Sequence, residues 1–171
     1  MSMLYNKYKD GWLVFLGLSF LPILLWLMAP SPVPRFGDST ASLASIGQLL
    51  GLTGAAMFGL NLILSARLRI IEKHFFGLDR VYRKHNQLGQ LAFVLLLFHP
   101  LFLIPKYATS LYQAALFLLP GANWPVNWGL AALTTMIFLI VLTLFVKLRY
   151  HIWKWTHKFL GLAFFLAGLH I

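Results

Sequence analysis

The sequence predicts an all-α protein, a polytopic membrane bundle of five transmembrane helices, and three observations predict it. Sixty per cent of the 171 side chains are hydrophobic and only 11% are charged, far from the balance of a water-soluble domain. The uncharged residues fall into runs long enough to cross a hydrocarbon core of roughly 30 Å at 1.5 Å per residue. The charge that remains, 14 basic and 4 acidic residues, lies between those runs. A net charge of +10 placed in this way is a topology signal, so no nucleic-acid partner is expected and the partner surface is the lipid bilayer. The absence of cysteine excludes disulfides, thiolate metal sites, iron-sulfur clusters and thioether-linked haem.

Span one runs from Trp12 to Ala29, inside the uncharged stretch between Asp10 and Arg35. Pro22 in mid-run and the lack of a small-residue cleavage site after Met28 argue against a removable leader. Span two falls within the uncharged run Ser39 to Ala66, from about Ile46 onward, where Gly51, Gly54, Ala55 and Gly59 allow close helix packing. Span three lies between Lys84 and Lys106. The forty residues that follow are too many for one helix, and Pro120, Gly121, Asn123, Pro125 and Asn127 break them. Tyr107 to Leu119 then reads as a short interfacial helix, Trp128 to Val146 as span four, and Trp153 to Ile171 as span five. Twelve Lys and Arg flank one side of these spans, and only Arg35 and Lys106 the other. The N-terminus, with Lys7 and Lys9, is therefore expected in the cytoplasm, and the chain in a membrane as a multi-pass protein.

Ionisable residues inside spans are rare and usually functional. Here His85 and His99 share span three, and His157 and His170 share span five. Their separations of 14 and 13 residues correspond to about 21 and 20 Å along a helix axis. Because both spans run outward, His85 lies level with His157 and His99 with His170. Two layers of paired imidazoles suit two stacked b-type haems, each iron taking one neutral nitrogen from either side. At about 100° per residue His99 returns to within about 40° of His85, whereas His170 is about 140° from His157. Span five then needs rewinding, a bend near Gly161 or Gly168, or haems on different sides of it. Gly89 and Gly161 each stand four residues after an inner histidine, leaving room on its own face for a flat porphyrin. A dinuclear metal site would want carboxylates that the spans lack, a proton relay has less support, and a transporter or scaffold would use the histidines only for packing. His74 and His151 read as solvated loop residues.

The segments RKHNQLGQLAFVLLLFHP in span three and WKWTHKFLGLAFFLAGLH in span five resemble the ferric reductase-like transmembrane domain shared by NADPH oxidases, ferric reductases and their bacterial relatives. The resemblance covers spans two to five, and the unequal spacings of 14 and 13 are themselves its pattern. It implies a transmembrane haem domain over residues 1–171, with an inner haem on His85 and His157 and an outer haem on His99 and His170. It also implies an aromatic side chain between the haems, for which Phe164 or Phe165 is available. Family oxidoreductases add a sixth span and a cytosolic module for FAD and NAD(P)H, and no nucleotide fingerprint is found here, so these are expected on a missing domain or a partner subunit. The implied activity is membrane NAD(P)H oxidase or ferric reductase chemistry. Electrons would pass from the flavin-binding partner through the haems to dioxygen, giving superoxide, or to ferric iron. The alternative is a haem b subunit that serves a separate extracytoplasmic reductase. Electron transfer of this kind is outer-sphere, so no side chain is expected to be catalytic. Arg83, Lys84, Lys154 and Lys158 flank the inner ligands, where they suit haem propionates or a docked partner.

Overall fold

The computed structural model describes residues 12–171, so Lys7, Lys9 and Asp10, on which the sidedness of the N-terminus partly rests, lie outside the described residues. Among the described residues every regular element is helical: α1 (Trp12–Met28), α2 (Ser39–Ser65), α3 (Arg69–Phe75), α4 (Leu78–Tyr107), α5 (Leu111–Phe117), α6 (Trp124–Phe145), α7 (Tyr150–Lys158) and α8 (Leu160–His170). In hydrocarbon each backbone N–H and C=O must be satisfied within its own segment, which leaves the helix as the form available to single apolar runs. Three of these helices, α2, α4 and α6, are long and apolar enough to cross a membrane, and α1 is a shorter apolar helix of 17 residues. The chain divides into two compact units, Met1–Lys106 and Tyr107–Ile171.

In the first unit α1 packs along α2. Arg35 closes the C-terminal end of α1 by donating to the carbonyls of Leu27, at 3.0 Å, and Ala29, while its guanidinium lies 4.1 Å from the Trp26 ring centroid. Helix α2 begins seven residues before the Ile46 expected from apolarity alone. Asp38 is the reason: it caps the helix, accepting the Ala41 N–H and the Thr40 hydroxyl at 2.7 Å each. Those hydrogen bonds, the Ala41 N–H first, hold the Asp38 carboxyl below its ordinary pKa. Short α3 is pinned by Phe75, which is fully buried with its ring 5.3 Å from that of Phe15. Its end turns through Phe76 at φ 59° and Gly77 at φ 129°, a conformation that only glycine adopts readily, and so directs the chain into α4. Helix α4 has 30 residues, about 45 Å of axis, and passes through Pro100 and Pro105. It extends the expected third span by about two turns at its charged end, where Asp79 sits in the first turn.

In the second unit the expected interfacial helix is the short α5, capped by Ser110, and Tyr107 stacks on Phe117 at 5.4 Å. Helix α6 starts at Trp124 rather than Trp128. Asn123 caps it and Pro125 stands in its first turn, where the missing N–H has no partner to lose. Asn127 ties the preceding turn by bonding Gly121 through both its oxygen, at 2.9 Å, and its nitrogen, at 2.7 Å. Helix α6 packs against α8 and, less extensively, α7. The stretch expected as the fifth span, Trp153 to Ile171, is divided between two helices instead of forming one. The break falls at Phe159, where Phe159 donates to the Thr156 carbonyl at 3.1 Å and Leu162 to the Phe159 carbonyl at 2.9 Å. Such i to i−3 bonds overwind the chain by about 20° per residue, the sense that reduces the phase gap between His157 and His170. Of the three ways open for span five, rewinding, a bend near Gly161 or Gly168, or haems on different sides of it, the local overwinding at Phe159 is of the first kind. His74 and His151 fall on the short helices α3 and α7 rather than in loops, both exposed, and His74 meets Phe75 edge-on at 5.5 Å.

Candidate haem-ligating histidines

The sites are built from two helix pairs, one in each unit. In the first, α4 carries His85 and His99 on an unbroken helix, which preserves their separation of about 21 Å. Both rings turn toward α2. His99 Nδ1 lies 2.7 Å from the main-chain oxygen of Gly47, and His85 Nδ1 lies 3.1 Å from that of Asn61. In the second unit His170, at the end of α8, places Nδ1 2.8 Å from the main-chain oxygen of Pro125 in α6. His157, at the end of α7, stacks on Trp153 with centroids 5.2 Å apart and planes 15° from parallel.

A backbone carbonyl only accepts, so each of these three Nδ1 atoms must carry the proton and donate it. The tautomer is thereby fixed, and the lone pair stands on Nε2, at the far side of the ring from the supporting helix. A hydrogen bond from one ring nitrogen to a carbonyl is the usual support of a metal-ligating histidine, because it sets the ring plane and raises the basicity of the other nitrogen. Among the described residues no group of three or more His, Cys, Asp or Glu side chains forms a ligand cluster. A porphyrin asks for less, since it supplies four ligands itself and needs one neutral imidazole on each side. The donor set therefore fits haem.

Close approach of α2 and α4 depends on glycines. A side chain at Gly47 would press on Phe102 and Leu103, one at Gly54 would meet Leu96 at 2.8 Å, and one at Gly51 would strike the His99 ring at 2.5 Å. Of the two glycines expected to leave porphyrin room, Gly161 has no atom within 4 Å of where a Cβ would lie. At Gly89 the amide nitrogen of Asn61 would be 2.7 Å from that position. Asn61 is itself buried, so its carbonyl supports His85 while its side chain covers Gly89.

The flanking cations are distributed unevenly. Arg83 is exposed, Lys84 is half-buried with its ammonium 4.6 Å from the Trp12 ring centroid, and Lys158 extends over Trp155 at 5.6 Å. Phe165 is exposed and Phe164 half-buried. The three supporting carbonyls, together with Gly129 beside His170, were not anticipated from the residues. The Gly47 to Gly51 spacing was the one available signal, and it announces only close helix contact.

A protein-family model described as the ferric reductase like transmembrane component matches residues 50–168. No curated protein matches the chain.

Proposed function

The chain belongs to the ferric reductase-like transmembrane family, and on that premise we propose that it carries electrons across a bacterial inner membrane by way of two b-type haems. In this reading five spans are present, the N-terminus is cytoplasmic, His85 and His157 hold an inner haem, and His99 and His170 hold an outer one. The four histidines would hold the two groups, which when bound would supply one-electron centres for outer-sphere transfer.

The observation that carries the reading is the set of three Nδ1 bonds to the carbonyls of Gly47, Asn61 and Pro125. The helices hold these imidazoles in the one tautomer that presents Nε2 as a ligand. Asn61 and Gly89 keep α2 and α4 close at the inner level, and the open face of Gly161 leaves space on α8. Arg83, Lys84 and Lys158 bring positive charge beside the inner pair, where propionates or an acidic partner surface would meet it. Phe164 and Phe165 offer aromatic surface between the two levels of the fifth span. Electrons would come from NAD(P)H through an FAD-binding domain or subunit on the cytoplasmic side. They would leave to dioxygen, giving superoxide, or to ferric iron.

The test is the absorbance of the purified full chain. A reduced b-type spectrum with two haems per polypeptide supports the proposal, and colourless, folded protein after expression with ample haem overturns it.

A further inference from the structure

The two outer histidines are seated by the same device, built independently in each unit. His99 donates to the carbonyl of Gly47, and the residue four positions on is Gly51. His170 donates to the carbonyl of Pro125, and the residue four positions on is Gly129. In a helix each Cβ tilts toward the N-terminus, so the side chain at i+4 leans over the carbonyl of residue i and guards its outward lone pair. A Cβ on Gly51 would lie 2.5, 2.7 and 3.0 Å from Nδ1, Cε1 and Cγ of His99. One on Gly129 would lie 2.7, 2.8 and 2.9 Å from Nδ1, Cγ and Cε1 of His170. The same edge of the ring enters both notches. Where the guard is glycine the bonds are 2.7 and 2.8 Å, whereas at Asn61, whose i+4 neighbour is Ser65, the bond to His85 is 3.1 Å.

We propose that Gly51 and Gly129 are positioning residues for the outer haem, opening the carbonyls of Gly47 and Pro125 so that His99 and His170 are held in a fixed ring plane with Nδ1 protonated. This rests on the function proposed above. An alanine at either position pushes the ring off its carbonyl, lengthens the Nδ1 bond and rotates the imidazole about its Cβ. The inner pair does not use these notches and keeps its geometry.

The experiment compares Gly51→Ala and Gly129→Ala with Gly54→Ala in the purified full chain. Gly54 is the control because its added methyl meets the Leu96 side chain at 2.8 Å, crowding the same helix pair without touching a proposed ligand. Haem stoichiometry, low-spin ferric electron paramagnetic resonance and redox titration are read for each haem. In both test variants the outer haem is expected to show a shifted low-spin signal and a raised midpoint potential, because a less basic ligand stabilises ferric iron less. Alternatively it is lost, in line with the roughly 10–100-fold affinity loss typical when the hydrogen-bond partner of a ligating histidine is disturbed. The inner haem stays as in wild type, and Gly54→Ala leaves both signals unmoved. Outer-haem signals in the test variants that coincide with those of Gly54→Ala overturn the inference alone, whereas wild-type protein without haem overturns the functional reading beneath it. Should the alanine variants fail to accumulate, electron-nuclear double resonance on the wild type decides. An exchangeable proton on the remote imidazole nitrogens of the outer haem is required, and its absence refutes the device.

Discussion

Replacing His99 with alanine is the most direct perturbation of the proposed electron path. The substitution removes one proposed haem ligand together with the 2.7 Å hydrogen bond to the Gly47 carbonyl. That carbonyl belongs to the interior of α2, so it retains its helical partner, and the lost bond is worth about 1 kcal/mol. Against a stability on the order of 5–15 kcal/mol the helices remain folded. The inner ligand on the same helix lies about 21 Å away and has its own support at Asn61, so the two sites are separable. Haem content should therefore fall from two to one per chain, and the surviving haem should keep the wild-type inner potential. Beside the vacancy stands Gly51, which has no side chain with which to fill it. Added imidazole should consequently enter, ligate and restore a second low-spin signal. The assay is pyridine haemochrome quantification with redox titration, with and without imidazole. Two haems persisting in His99→Ala would show that this histidine is not a ligand. Loss of both from protein that is still helical and monodisperse would show that the sites are not independent, and would refute the reasoning.

Three further outcomes follow from other parts of the molecule. Gly89→Ala drives a methyl to within 2.7 Å of the Asn61 amide, an overpacking of about 1–3 kcal/mol, and should disturb the inner haem signal while sparing the outer one. Asp38→Asn keeps a capping oxygen but removes a carboxylate whose pKa is depressed by the Ala41 N–H and the Thr40 hydroxyl. A depressed carboxyl stabilises the fold above its unfolded pKa, about 4, and that advantage disappears as pH falls through the lower folded value. Thermal unfolding should thus favour wild type near neutrality and converge with the variant at the acid end; a gap that widens on acidification would contradict this sign. Arg35→Ala removes the donors to Leu27 and Ala29 and the contact over Trp26, costing about 1 kcal/mol in thermal unfolding with haem content unchanged. Arg35→Lys should recover only part of this, because one ammonium cannot copy a planar fork on two carbonyls.

How much of this was legible in the sequence differs from element to element. Apolar runs located the apolar helices, three of which are long and apolar enough to cross a membrane, since hydrocarbon forces helix on any segment able to enter it. Boundaries were less legible, because hydropathy marks where a helix is buried and capping marks where it begins. Asp38, Ser39 and Thr40 form a readable start signal that apolarity placed too late. Pro125 was taken as a breaker, yet in a first turn it is a helix starter, and the same position supplies the carbonyl that holds His170. The unequal histidine spacing left rewinding, a bend near Gly161 or Gly168, or haems on different sides of the expected fifth span all open, and the helix break at Phe159, a residue with no breaker signature, was not legible. The four imidazoles stood out as ionisable groups in apolar surroundings. Their supports did not, because a main-chain oxygen belongs to every residue, and only packing decides which one a ring will reach.

Those supports also weigh on the rival reading of the histidines as a proton relay. A relay imidazole takes a proton at one nitrogen and releases it at the other, so both nitrogens must face groups that exchange protons. In His85, His99 and His170 the Nδ1 proton faces a backbone carbonyl inside a helix, a group that accepts a hydrogen bond but cannot carry the proton onward. At His99 and His170 the ring edge also lies close against a glycine, where a Cβ would come within 2.5 and 2.7 Å of Nδ1. An imidazole held in this way has one working nitrogen, Nε2, and that nitrogen has a lone pair. The arrangement that blocks proton transfer is the one that prepares a ligand, and it recurs with two different helix pairs from two separate stretches of sequence. Simple packing explains a buried imidazole; it gives no reason for the same edge, the same acceptor type and the same i+4 glycine to appear twice.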